Sequence, residues 1–269
     1  MAQPLDLLPN YENPPVVEVV LGVQFEEIPK FLSVHLGSFW ECLRSDYSEV
    51  EDKPPLPSVF EDRPSREPSL EVMDLPPLRR AFLVHSSKNY LLQVQPTRFL
   101  HNWRKLKSTD AYPRFVTAEE RFLNNWKIFR EFVEQSKLGP IKANQYELTY
   151  INHIFAEGRG FPQAIHEYSH IFSWSKERPD FFLPGPASLG MDIKFRLPEK
   201  RGVLHVSLKH GKRLSDKTEV LILELTARGP AQGDASDMKS WFSIAHEWIV
   251  RGFTDLTTAT AHERWGRTR

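Results

Sequence analysis

Very little in this chain of 269 residues marks it for a particular chemistry, and each thing it lacks removes a class of function. Cysteine is almost absent: Cys42 stands alone, so no intramolecular disulfide can form and a reducing, cytoplasmic compartment suits the chain. Net charge is absent as well. The 35 basic and 35 acidic residues cancel, which leaves no global field to draw the protein to nucleic acid or to an anionic membrane. No apolar run approaches the roughly 18 residues of a spanning helix, and the opening MAQPLDLLPNYENPP lacks the basic flank and continuous apolar core of a signal peptide. No G-x-S-x-G elbow, Walker A loop or G-x-G-x-x-G phosphate cradle occurs, so the common hydrolase, nucleotide and dinucleotide grammars are missing.

What is present is the material for a sizeable core: 40% of residues are hydrophobic and 12% aromatic. The stretch Asn13 to Phe31 organises it. Val17, Val19, Leu21, Val23 and Phe25 alternate with Glu18, Gly22, Gln24 and Glu26, which predicts a long strand with one buried and one wetter face near the centre of a sheet. Helical spacing follows from Ser33 through Leu36, Phe39, Trp40, Leu43, Tyr47 and Val50. Residues 52–77 dissolve into prolines and charges and read as a surface loop. Strands are predicted over Arg80 to Ser86 and Tyr90 to Thr97, joined as a hairpin. A capping box, Thr117-Ala-Glu-Glu120, opens a helix with Phe122, Trp126, Phe129 and Val133 on one stripe, ended by Gly139-Pro140. Gln145 to Phe155 reads as another strand. The order strand, helix, strand, strand, helix, strand is ferredoxin-like.

The second half predicts a short helix within Phe161 to Trp174, then a three-stranded antiparallel meander over Leu189 to Leu197, Val203 to Lys209 and Glu219 to Thr226. A long helix follows, with Met238, Trp241, Phe242, Ala245, Trp248, Ile249 and Phe253 on its stripe. After it a bend is predicted, then a short segment from Ala259 that returns Trp265 to the body, with His262 as a spacer or rim contact. The expected fold is therefore α+β: antiparallel sheets with a βαββαβ first half, a helix, a meander and a long C-terminal helix. It is expected as one compact unit with sub-halves near 13–156 and 157–269.

Two stretches invite a chemical reading. His166-Glu167-Tyr168-Ser169-His170 is a literal H-E-x-x-H, which on a helix places two histidines on one face for zinc with the glutamate as base. The third ligand has no fixed place, Glu177, Asp180 and Asp192 being the downstream choices, and the competing reading is two histidines on a partly exposed helix. Gln93 to Arg104 offers a binding surface: Gln93 and Gln95 share a strand face, and Arg98, Asn102, Trp103 and Arg104 follow, interleaving aromatics, amides and cations as protein or nucleic-acid contact sites do. An ordinary strand exit with Phe99 and Trp103 in the core explains the same pattern. Glu18, among valines, reads as the wet face of its strand. Cys42, within the first helical pattern, reads as a small packed residue.

Several separated blocks carry a resemblance: NPPVVEVVLGVQF, LLQVQPTRFLHNW, YPRFVTAEERFLNNW, YELTYINHI and AHEWIVRGFTDLTTATAHERWG. Together they resemble a sporadically distributed bacterial family of uncharacterised proteins of about this length. The resemblance implies a bacterial protein suited to mobile or defence-associated genes and carries no activity with it. The H-E-x-x-H lies outside these blocks. The sequence thus favours a non-enzymatic binding or accessory protein that needs no cofactor and acts through a protein partner or a second copy of itself. A zinc hydrolase built on His166, Glu167 and His170 is the alternative, and a nucleic-acid binder the third reading.

Overall fold

A computed structural model of the chain describes residues 8–61, 79–155, 165–170, 186–213, 217–233 and 235–269, with all side chains in these ranges except those of His166 and Ala235. Nine strands are hydrogen-bonded in the order β2-β3-β4-β5-β1-β6-β9-β8-β7, so β1 (Val16–Phe25) holds the central place that its length predicts. The other strands are β2 (Glu49–Lys53), β3 (Arg80–Val84), β4 (Tyr90–Gln95), β5 (Arg98–Arg104), β6 (Ala143–Ile154), β7 (Gly190–Arg196), β8 (Val203–Lys212) and β9 (Glu219–Pro230). Among the described residues the α-helices are α1 (Ser33–Glu41), α2 (Arg114–Gln135), α3 (Ile165–Tyr168), α4 (Ala235–Leu256) and α5 (Ala259–Arg264). The chain is α+β with a large antiparallel sheet. It divides into two compact units whose limits fall inside β1, β6, β9 and α4: one of Glu18–Leu148 and Arg228–Lys239, the other of Met1–Val17, Thr149–Ala227 and Ser240–Arg269.

The first half differs from the ferredoxin-like order by two strands. It runs β1-α1-β2-β3-β4-β5-α2-β6, and the strand beside β1 is β5, paired antiparallel from Glu18↔Arg104 to Gln24↔Arg98. The helical pattern read as far as Val50 stops at Glu41. Trp40 donates its indole N–H to the Tyr47 carbonyl (2.8 Å), and Tyr47 is buried, so the chain turns and continues as the edge strand β2. That edge exposes Glu49, Glu51 and Asp52, charges that discourage pairing with another sheet. The predicted proline-rich loop therefore begins inside β2. Residues 54–61 belong to no helix or strand, and residues 62–78 lie outside the described ranges.

In the unit built on β1, helices α1 and α2 cover one sheet face. Phe25 and Phe99 meet Trp126 and Phe129 at ring separations of 5.1–6.0 Å, and Phe39 meets Phe129 at 5.2 Å. These rings are all buried, and removing them from water contributes to cohesion in proportion to their large area. The helix starts at Arg114, three residues ahead of the predicted Thr117 cap, because Phe115 and Ala118 are core residues and draw another turn inward. After α2 the chain passes Gly139 at φ +120, a conformation that calls for glycine, and a Cβ there would press on Pro29 Cδ at 3.0 Å.

In the other unit, β7 and β8 pair from Gly190↔Lys209 to Arg196↔Val203 as the meander predicts. Trp241, Phe242, Ala245, Ile249 and Phe253 of α4 are buried, and Trp241 donates to the Arg201 carbonyl at 2.9 Å. The helix ends at Leu256, Thr258 caps α5 by accepting from the Ala261 N–H, and Trp265 packs on Phe253 (5.1 Å) and Tyr11 (6.2 Å). The return of Trp265 is as predicted. His262 is not a rim contact, however: it is buried, with Nε2 at 2.8 Å from Thr257 Oγ1 and Nδ1 at 3.2 Å from Arg267. Asn10 to Asn13 pair with Trp265 to Thr268, joining the two described ends of the chain.

Candidate functional site

Strand alternation sets the site. Phe99, on β5, faces α2, so Arg98, Leu100, Asn102 and Arg104 point to the opposite face of the sheet. There they meet residues of the neighbouring strands in a directed row of hydrogen bonds. Arg80 Nη1 on β3 donates to Gln93 Oε1 (2.6 Å), Gln93 Nε2 on β4 donates to Asn102 Oδ1 (2.8 Å), and Asn102 Nδ2 donates to Glu18 Oε1 on β1 (2.6 Å). The row runs from a cation to a carboxylate, so each amide has one possible orientation. Gln93 and Asn102 are buried, and both amides are satisfied by one another and by the charged ends.

Beside this row the same face holds a length of backbone. Residues 54–61, Pro-Pro-Leu-Pro-Ser-Val-Phe-Glu, cross it as an extended strap. Gln95 accepts from the Leu56 N–H and donates to the Leu56 carbonyl, each at 3.0 Å. Gln24 repeats the arrangement at Val59, accepting from its N–H (2.9 Å) and donating to its carbonyl (3.0 Å). Between them Arg98 Nη2 donates to the Pro57 carbonyl (3.2 Å) and to Gln24 Oε1 (2.5 Å). The remaining amide N–H of Gln24 goes to Asn144 Oδ1 (3.0 Å), and that of Gln95 to Thr97 Oγ1 (2.9 Å). At the end of the strap Glu61, whose side chain is only 11% exposed, lies 4.0 Å from Arg228, which also pairs with Glu147 at 2.5 Å.

A side-chain amide that donates and accepts at one residue treats it as a neighbouring strand would. Two such amides three residues apart, with a guanidinium on the carbonyl between, read backbone rather than side chain. No group in this set is placed as a nucleophile beside a base. Burial lowers the pKa of Arg98 from its ordinary value, with the Glu147 carboxylate opposing, and the guanidinium remains a cation at neutral pH.

The six residues read as a binding surface divide between the two faces. Gln93, Gln95, Arg98 and Asn102 come together, but buried beneath or beside the strap rather than open to solvent. Trp103 points the other way and packs on Tyr112 at 5.5 Å. Arg104 donates to the Lys88 carbonyl at 3.3 Å. Arg98 and Arg104 thus spend donors on internal carbonyls, which draws both cations of this stretch away from a nucleic-acid backbone. Gln24, Arg80, Asn144 and the strap itself escaped the sequence reading, and Glu18 is paired rather than simply wet. The available signal was Gln24, a long polar residue at the wet register of an otherwise valine-rich strand.

The H-E-x-x-H segment forms a single turn. The Ser169 N–H bonds the Ile165 carbonyl, but that of His170 bonds Leu256, so the helical register ends before the second histidine. Glu167 Oε2 lies 3.0 Å from Arg264, and its carbonyl accepts from the Thr258 hydroxyl. The glutamate is thereby committed to joining α3 to α5. Glu177 and Asp180 lie outside the described residues, as does the His166 side chain, and Asp192 is exposed on β7. Among the described residues no three His, Cys, Asp or Glu groups stand close enough to hold a metal ion.

Two histidines are buried and strongly perturbed. His101, fully buried on the helix-facing side of β5 with neither ring nitrogen hydrogen-bonded, has its pKa lowered to about 3 by burial, with Arg121 and His85 adding to the effect. His246 on α4 is lowered to about 3 by burial. The unit containing α4 also has a recess of about 270 Å³ lined by Phe195, Leu204, Trp248 and Gly252; its Arg251 pairs with Glu247 at 3.0 Å. No helix among the described residues is long and apolar enough to cross a membrane. No protein-family model and no curated protein matches the chain.

Proposed function

We propose that this chain is a non-enzymatic binding protein that works through a protein partner, as part of a bacterial accessory module of the mobile or defence-associated kind. The observation that carries the reading is the paired hydrogen bonding of Gln24 and Gln95 to the backbone of Val59 and Leu56. Enzymes place a few polar groups around a reacting atom; this face spends its buried amides on satisfying a peptide. The resemblance to a sporadic bacterial family supplies the setting, and the lone thiol of Cys42, exposed on the chain, suits a reducing compartment.

The test is isolation of the full chain from its native host after brief cross-linking, identification of stoichiometric proteins by mass spectrometry, and reconstitution with the purified candidate. A complex of fixed ratio in size-exclusion chromatography, weakened in the Gln24→Ala/Gln95→Ala variant, is the expected result. A reconstituted complex indifferent to that variant would separate partner binding from this face. Absence of any stoichiometric protein would remove the reading.

A further inference from the structure

We infer that the polar sheet face is a binding site for an extended, proline-containing peptide that carries an acidic residue two positions after its second anchored position, and that residues 54–61 of the chain occupy it in cis. This deepens the partner-binding reading and rests on it for its biological use, though not for its chemistry. The ligand class follows from the occupant seen. Four successive holds lie along the strap: Gln95 on the Leu56 backbone, Arg98 on the Pro57 carbonyl, Gln24 on the Val59 backbone, and Arg228 on the Glu61 carboxylate. Three of them read only backbone, and the two amide positions accept any extended residue except proline, which has no N–H to donate. The fourth sets a guanidinium, itself paired with Glu147, 4.0 Å from a carboxylate and so favours an acidic residue there. Pro54, Pro55 and Pro57 fix φ in the extended region, so a peptide of this composition loses little conformational freedom on binding.

The strap is also built to be exchangeable. Pro54, Pro57, Ser58 and Phe60 face solvent, and Leu56 and Val59 are only half-buried, so few apolar anchors fix it. The seat beneath has its own supports: Thr97 holds Gln95, and Asn144 and Arg98 hold Gln24, all without the strap. A departing strap leaves amides that water or another peptide can satisfy. A partner segment with the pattern Leu-Pro-x-Val-x-Glu therefore competes with a tethered copy of itself, and its apparent affinity is lowered by the fraction of time the strap is seated.

The experiment uses a fluorescent peptide of residues 53–61, Lys-Pro-Pro-Leu-Pro-Ser-Val-Phe-Glu, followed by anisotropy. The protein is the full chain, either unaltered or with residues 54–61 replaced by a Gly-Ser chain of equal length. The replaced chain is expected to bind in the micromolar range and the unaltered chain far more weakly. Gln95→Ala in the replaced chain should weaken binding roughly tenfold, the loss of one paired hydrogen-bonding position. A replaced chain with native circular dichroism and no binding would overturn the site. Should that chain not fold, hydrogen exchange on the unaltered protein decides: excess peptide should accelerate exchange of the Leu56 and Val59 amides, and unchanged exchange at millimolar peptide overturns the proposal. Peptide binding in a protein that captures no partner in its native host would keep the site and discard the partner reading, so the two fail separately.

Discussion

On one face of β4, β5 and β1 the chain sets Leu92, Val94, Phe99 and Val23 against α1 and α2; on the other, one residue along each strand, it sets Gln93, Gln95, Arg98 and Gln24 against a strap of its own backbone. Both faces are buried, yet by different forces. The apolar face gains from every ring removed from water and has no preferred partner, so helices with a fitting stripe suffice. The polar face gains little net free energy per bond and depends on each donor meeting a particular acceptor. A surface of the first kind holds a fold together. One of the second kind specifies what lies on it, which is why the binding proposal is placed there.

The comparison is broken most forcefully on the apolar side. Trp126 touches Phe25, Phe99 and Phe129, and Trp126→Ala is expected to destabilise the protein by about 3–5 kcal/mol in urea or thermal denaturation. A loss under ~1 kcal/mol would mean that these rings are not the main source of cohesion.

The next effect uses a polar residue that β5 places on that face. His101 is held neutral, with its folded pKa depressed to about 3 from an ordinary 6.5. Above the unfolded value both states are neutral and the residue has no pH-linked effect. As pH falls below it, the unfolded chain takes up a proton that the folded chain refuses. Stability therefore falls by up to about 1.4 kcal/mol per pH unit, or about 2 kcal/mol by pH 5, until the folded pKa is reached. His246 acts in the same direction. Melting temperatures of His101→Leu and the unaltered chain should differ most in acid, with the variant less pH-sensitive. Parallel curves would place a hydrogen-bonded, chargeable histidine where an unpartnered one is expected.

On the polar face the third effect is smaller and of another origin. Asn102→Ala strands a donor on buried Gln93 and takes one donor from half-buried Glu18, and should cost roughly 1–2 kcal/mol. Its mark is a cost out of proportion to the apolar area removed. A value near zero by chemical denaturation would show water taking the amide's place.

The apolar face was readable because its signal is periodic and redundant. Five residues of β1 and four of α2 repeat one message, and losing one would not hide it. The polar face carried the same period two over Arg98, Leu100, Asn102 and Arg104, but mixed cation, apolar and amide residues within each register, so β5 passed for a strand exit. Edge strand β2, with its sequence Glu-Val-Glu-Asp-Lys, has no apolar face at all and was absorbed into the preceding helix pattern. Gln93, Gln95, Arg98 and Asn102 could be found because they cluster in sequence. Gln24, Arg80 and the strap could not, since only pairing across 13 to 74 residues brings them together. The burial of His262 is hidden from the sequence for a similar reason: Tyr11, far away along the chain, packs on it beside Trp265.

The smallest expected effect sharpens the comparison most, because it asks whether the polar row is one object or three separate bonds. Glu18→Gln keeps an acceptor for Asn102 but removes the charge that terminates the row, so the bond changes from charge-assisted to neutral at a cost of about 0.5–1 kcal/mol. Arg80→Gln does the same at the other end, where Gln93 accepts. The two ends are separated by β4 and β5, and direct attraction across them is screened. If Gln93 and Asn102 are polarised by the charges they connect, each end strengthens the other through them, and the double variant should lose about 0.5 kcal/mol less than the two single losses combined. Urea denaturation of the four proteins measures that difference. Strict additivity would reduce the row to independent pairs, and would make it no more than a set of satisfied amides beneath an otherwise apolar architecture.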